Sequence, residues 1–152
     1  MAAMFNRTPH GVTLLELLLS LVLMGVLLGM AAVPVAWAGD VLAVRAARAA
    51  LVNAAATARV LATGHGGATM VIHAASGTVS LETRDGVVVD TVARLGSAHG
   101  VRLEFDDAGL EAASIRFDGL GLGRLANRTV RVQRGAVAGG VTISAYGRVR
   151  AW

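Results

Sequence analysis

Hydrophobic positions follow two periods in succession, helical up to about residue 63 and alternating from residue 68 onward. Residues 17–39, from Leu17 through Leu28 and Val33 to Gly39, carry no charge. At 1.5 Å per residue, about 20 such residues cross a hydrocarbon core of roughly 30 Å, so the pattern predicts a membrane-spanning helix. Pro34 lacks an amide hydrogen and should bend that helix near its exit. Gly25 and Gly29 form a G-x-x-x-G pair that either admits a second helix at close range or is merely tolerated in an apolar span. Beyond Asp40, Val41, Leu42, Val44, Leu51, Val52, Val60 and Leu61 recur among many alanines, with Arg45, Arg48, Asn53 and Arg59 between them. This is an amphipathic helix over 40–63 whose apolar stripe needs a sheet to lie on. The Gly64-His65-Gly66-Gly67 cluster should end it at Thr63-Gly64.

After Gly67 short alternating runs are bounded by turn residues. Strands are predicted over 69–73, 78–83, 87–92, 101–105, 114–117, 129–133 and 141–146. Asp85-Gly86 is a tight hairpin signal, and Ser76-Gly77 and Ala108-Gly109 mark further turns. The predicted fold class is α+β: a long N-terminal helix packed on an antiparallel β head, split into two small sheets. With 152 residues in all, one head domain is expected over residues 40–152, its β-rich part being 68–152.

Composition sharpens this picture in two ways. The 14 basic residues are all Arg, and from Ile115 onward seven of them stand against Asp118 alone, so that stretch carries 7 − 1 = +6 while the whole chain is +4. Such a surface either meets a polyanion or is the solvated face of a sheet. The absence of cysteine excludes a disulfide framework and a thiolate nucleophile or metal site, so the head must rely on its packed core.

Candidate chemistry is sparse. His10, His65, His73 and His99 lie far apart without the carboxylate spacing of a metal site, and no metal or cofactor is inferred. No serine sits in a G-x-S-x-G elbow, and no catalytic residue is assigned. Gly119-Leu120-Gly121-Leu122-Gly123-Arg124 follows a strand but lacks the spacing and following helix of a phosphate loop, and reads as a flexible turn. Asp106-Asp107 supplies too few oxygens for calcium and reads as a solvated turn.

The N-terminal segment admits three readings. Ala36-Trp37-Ala38 resembles the cleavage site of a secretory signal, although the apolar run exceeds the usual ~7 to 15 residues of such a signal. A plain uncleaved anchor leaves Glu16 unexplained, because an ionised side chain inside a spanning helix costs about 2.5 to 3.5 kcal/mol. The third reading accounts for it. Gly11-Val12-Thr13-Leu14-Leu15-Glu16-Leu17 resembles the processing site of type IV pilins and type II secretion pseudopilins, with Val12 where that family usually has Phe. The resemblance implies a polar leader (1–11) removed by a prepilin peptidase after Gly11, N-methylation of Val12, and a helix over 12–39 that anchors in the inner membrane lipid and then packs in a fibre. Glu16, the fifth residue after the cut, would pair with the freed α-ammonium of a neighbouring subunit and so direct assembly.

The strand order, with Ser114-Ile115-Arg116-Phe117-Asp118-Gly119 and the closing Ile143-Ser144-Ala145-Tyr146-Gly147-Arg148-Val149-Arg150, resembles the GspH/FimT group of pseudopilins and minor pilins. That resemblance implies a non-enzymatic, single-pass subunit with a periplasmic head and other pilins as its partners. The Gly147-Arg148-Val149-Arg150 tail, flanked by Tyr146 and Trp152, further resembles the tail through which FimT-type minor pilins are thought to bind DNA. Two guanidiniums could each meet a phosphate while the rings stack on bases. Alternatively the last strand pairs at a sheet edge, with its arginines as gatekeepers against aggregation.

Overall fold

Thr13 opens a helix, α1 (Leu14–His65), that runs for 52 residues through leucine- and alanine-rich sequence. The computed structural model describes residues 12–107, 109–124 and 127–152, without the side chains of residues 31–34. The bend expected at Pro34 falls on those four residues, outside the description. The chain divides into two compact units, Met1–Ala36 and Trp37–Trp152. In the first, every described side chain from Leu14 to Met30 is exposed, and the helix is long and apolar enough to cross a membrane.

In the second unit α1 buries one stripe: Ala43, Val44, Ala47, Leu51, Ala54, Ala55, Ala58 and Ala62. The spacing of three and four residues keeps these on a single face. Six of the eight are alanine, so the helix backbone lies close to what it covers. The helix continues two residues past the expected stop at Thr63, to His65, because the left-handed residue that ends it is Gly66 (φ +69) and not Gly64.

Among the described residues, eight strands follow in two antiparallel sheets. The first, of order β3-β2-β1-β5, contains β1 (Gly67–His73), β2 (Thr78–Thr83), β3 (Val88–Arg94) and β5 (Ala112–Asp118). The second, of order β4-β6-β7-β8, contains β4 (Arg102–Phe105), β6 (Arg128–Arg134), β7 (Val137–Ile143) and β8 (Val149–Ala151). Alternation sets the inward faces: Met70, Ile72, Val79, Leu81, Ile115 and Phe117 from the first sheet, and Leu103, Val130, Val132, Val141 and Ile143 from the second, join the helical stripe in one core. The two-sheet α+β architecture is therefore the one the alternation predicts.

Three local expectations need correction. The strand expected over 141–146 is displaced: β7 begins at Val137 and stops at Ile143, and Tyr146 lies in a turn. Ala138-Gly139-Gly140 offers no side-chain alternation to read, and cross-strand pairing with Val132 and Gln133 fixes that segment instead. A short helix, α2 (Leu95–His99), was not expected; it is held by the buried Leu95. The Gly119–Gly123 run is a clipped loop, not a flexible turn. Asp118 Oδ1 accepts hydrogen bonds from the amides of Leu120 (3.0 Å) and Leu122 (2.9 Å), and its Oδ2 accepts one from Arg124 Nε at 3.4 Å.

An ion pair fastens the start of the head's helix. Arg134 Nε lies 3.0 Å from Asp40 Oδ1, and its Nη1 donates to the His99 carbonyl at 2.7 Å, tying α1, β6 and α2 together.

Replacing fully buried Leu51 by Ala should destabilise the unit spanning residues 37–152 by about 2–5 kcal/mol in urea denaturation, by loss of transfer energy and creation of a cavity. The exposed Leu42→Ala on the same helix should change it by less than about 0.5 kcal/mol.

Candidate functional site

At the N-terminus, Thr13 is the helix cap: its Oγ1 accepts from the Glu16 amide at 3.2 Å, and its carbonyl accepts from Leu17 at 3.1 Å. Thr13-x-x-Glu16 thus has the spacing of a capping box, and Glu16, in the first turn, also favours the positive end of the helix dipole. The importance of Thr13 was missed in the sequence, although the T-x-x-E signature was present. Val12 precedes the cap and is exposed, as is Glu16, for which no ion pair exists among the described residues. Gly11 lies outside the described residues. Gly25 and Gly29 face open space, so their surface is available to another helix.

At the other end of the chain, β7 and β8 form a hairpin whose turn is Ser144–Gly147. The Gly147 amide donates to the Ser144 carbonyl at 2.7 Å, the Ser144 amide to the Arg148 carbonyl at 2.8 Å, and the Arg148 amide to Ser144 Oγ at 3.0 Å. Tyr146 occupies the tip, 81% exposed. Arg148 and Arg150 flank half-buried Val149 and are both exposed; neither has an acidic partner among the described residues. Arg150 lies on the paired edge strand β8, opposite Thr142, and Arg148 directly precedes it with its carbonyl bonded to the Ser144 amide, so neither stands on a free tail.

Two glycines build this hairpin. Gly147 has φ +75, and a Cβ there would sit 2.8 Å from Arg59 Nη2 and 3.1 Å from the Gly123 nitrogen. The glycine of the G-R-V-R sequence is thus demanded by packing against α1 and the Asp118 loop, independently of any ligand. Arg59 itself stacks over Phe117, 6.0 Å from the ring centroid, and joins helix, loop and hairpin. Gly140 leaves the notch in which Trp152 rests: a Cβ would lie 2.5 Å from the indole. The amide and carbonyl of Trp152 bond to those of Gly140, and its Nε1 donates to Thr142 Oγ1 at 3.3 Å. The ring stays 51% exposed. Arg59 and Gly140 carried no readable signal, since each acts through contacts distant in sequence.

The comparisons bear on both ends. Residues 6–32 match the model of the prokaryotic N-terminal methylation motif. The crystal structure of the Pseudomonas aeruginosa type IV minor pilin FimU superposes with a TM-score of 0.55 at 18% identity, over 72% of this chain and 87% of that one. The fold is that of a type IV pilin. A methylation-type N-terminus therefore stands on a pilin-type head. No curated protein sequence matches the chain.

The amides of Leu122 and Leu120 and the Arg124 guanidinium hold the Asp118 carboxyl below its ordinary value of 3.8, against an opposing effect of burial. A lowered folded-state value means that the charged form stabilises the fold above pH 3.8, and that this contribution is lost as pH falls through the lowered value. In acid titrations of the 37–152 unit, Asp118→Asn should therefore be less stable than the parent near neutrality, with the difference shrinking below pH 3.8.

Proposed function

We propose that the protein is a non-enzymatic minor pilin or pseudopilin, cut after Gly11, N-methylated on Val12, anchored once in the bacterial inner membrane with its head in the periplasm, and then drawn into a fibre. The observation that carries this reading is the methylation motif over residues 6–32 on a chain whose head has the type IV pilin fold. The machine we favour is a type II secretion pseudopilus or a type IV pilus assembly. In the first case deletion traps exoproteins in the periplasm; in the second it removes pili and leaves secretion intact.

The exposed first helical segment fits the role physically. Its apolar side chains need lipid before assembly and other helices afterwards, and Gly25 and Gly29 leave room for close helix contact. Glu16 supplies direction, since its carboxylate is neutralised when a neighbouring subunit's α-ammonium stands opposite it. Glu16→Ala should leave membrane insertion and head folding intact while reducing recovery in sheared fibres at least tenfold. Recovery equal to that of the parent chain would remove the role assigned to Glu16.

A second reading, DNA capture by the C-terminal hairpin, is favoured by two exposed guanidiniums, without an acidic partner among the described residues, beside the exposed rings of Tyr146 and Trp152. In a gel-shift titration, residues 37–152 should bind single-stranded DNA with an affinity that falls steeply with salt and is lost in Arg148→Ala/Arg150→Ala. Absence of a shift at low salt would exclude it.

A further inference from the structure

The outer face of the first sheet carries a groove of about 790 Å³, within the size range of small-ligand sites. Strand alternation builds its floor. Met70, Leu81, Ile115 and Phe117 point into the core, so Thr69, Glu82, Ser114 and Arg116 face outward into the groove. Thr69 stands at the centre, paired with Glu82 on one side and with Arg116 on the other. Two further arginines close the end where β1 begins. The stem of Arg84 lies across Gly67, where a Cβ would stand 3.8 Å from Arg84 Cβ and 3.9 Å from its Cδ. The Arg124 amide donates to the Arg116 carbonyl at 2.9 Å, and the Arg124 Nε is held by Asp118, which leaves a side chain that is still 74% exposed. Arg84 and Arg116 are exposed as well, and neither they nor Glu82 enter an ion pair among the described residues.

The mixture of charges decides the class of ligand. Arg84, Arg116 and Arg124 against Glu82 and Asp118 give 3 − 2 = +1, so the groove favours an anion. Guanidiniums only donate hydrogen bonds, whereas an ionised Glu82 only accepts them and repels a ligand that is nothing but negative. Nucleic acid finds no stacking platform, because the aromatic residue at the groove, Phe117, is 3% exposed with its ring in the core. A sugar bearing acidic groups meets both demands. We propose that this groove binds a short acidic oligosaccharide, its carboxylates on Arg84, Arg116 and Arg124 and its hydroxyls donating to Glu82 and exchanging hydrogen bonds with Thr69 and Ser114. The site uses neither the N-terminal helix nor the C-terminal hairpin, and so stands apart from both functional readings above.

The full-length chain, held in an uncharged polyoxyethylene detergent, is titrated calorimetrically with trigalacturonate, with neutral maltotriose, and with tricarballylate, which has carboxylates but no hydroxyls. Saturable binding of trigalacturonate is expected, none of maltotriose, and binding of tricarballylate weaker by about tenfold or more. Arg84→Ala/Arg116→Ala should weaken trigalacturonate by about tenfold or more at an unchanged thermal midpoint. Arg131→Ala, exposed on the outer face of the second sheet, should leave the affinity as it is. Glu82→Gln should weaken trigalacturonate and strengthen tricarballylate, a reversal that a merely structural glutamate would not produce. No saturable binding overturns the proposal. So does tricarballylate or an oligo-dT strand binding as tightly as the sugar, or an affinity indifferent to the Arg84 and Arg116 substitutions.

Discussion

A carboxylate at the head of an uncharged span is the constraint from which the rest follows. Glu16 precedes 23 residues, 17–39, without a charge, and an ionised group at such depth costs about 2.5 to 3.5 kcal/mol unless something neutralises it. No side chain within the described part of the helix can do so. On the proposed reading the partner is the α-ammonium created by cleavage after Gly11, supplied by the adjoining subunit. The acid is then costly alone and neutral in the assembled fibre, which turns a destabilising residue into a register mark. Thr13 contributes by holding the first turn at the Glu16 amide, so the carboxylate projects from an ordered helix end.

The head is packed around one helix. Alanines on the buried stripe bring α1 close to the sheets, and Arg134 and Arg59 fasten it near the two ends of its buried stretch, through Asp40 and through stacking on Phe117. Arg59 also lies beside Gly121 and Gly147, so the loop after β5 and the basic hairpin are positioned by the helix. The exposed Arg148, Arg150 and Tyr146 are thereby held on the β7–β8 hairpin.

Much of this was legible in the sequence because it depends on period and punctuation. The switch from helical to alternating spacing gave both the long helix and the two-sheet head, and Asp85-Gly86 marked a real hairpin. What escaped depends on contacts remote in sequence. Gly139 and Gly140 are informative only beside Arg48 and Trp152, so the start of β7 could not be placed, and the displaced strand at 141–146 was the result. The G-R-V-R glycine looked like part of a binding motif, while its φ and its contact with Arg59 show a packing role that sequence alone cannot separate from function. Asp118 likewise turned an apparently loose glycine run into a clipped loop.

The central claim is that the chain is cut to free an amine five residues from Glu16, counting that amine as the first. Intact-mass measurement of the protein extracted from membranes tests it most directly. The account predicts a chain beginning at a methylated Val12. A chain that retains Met1, or one that begins at Gly39, would contradict it.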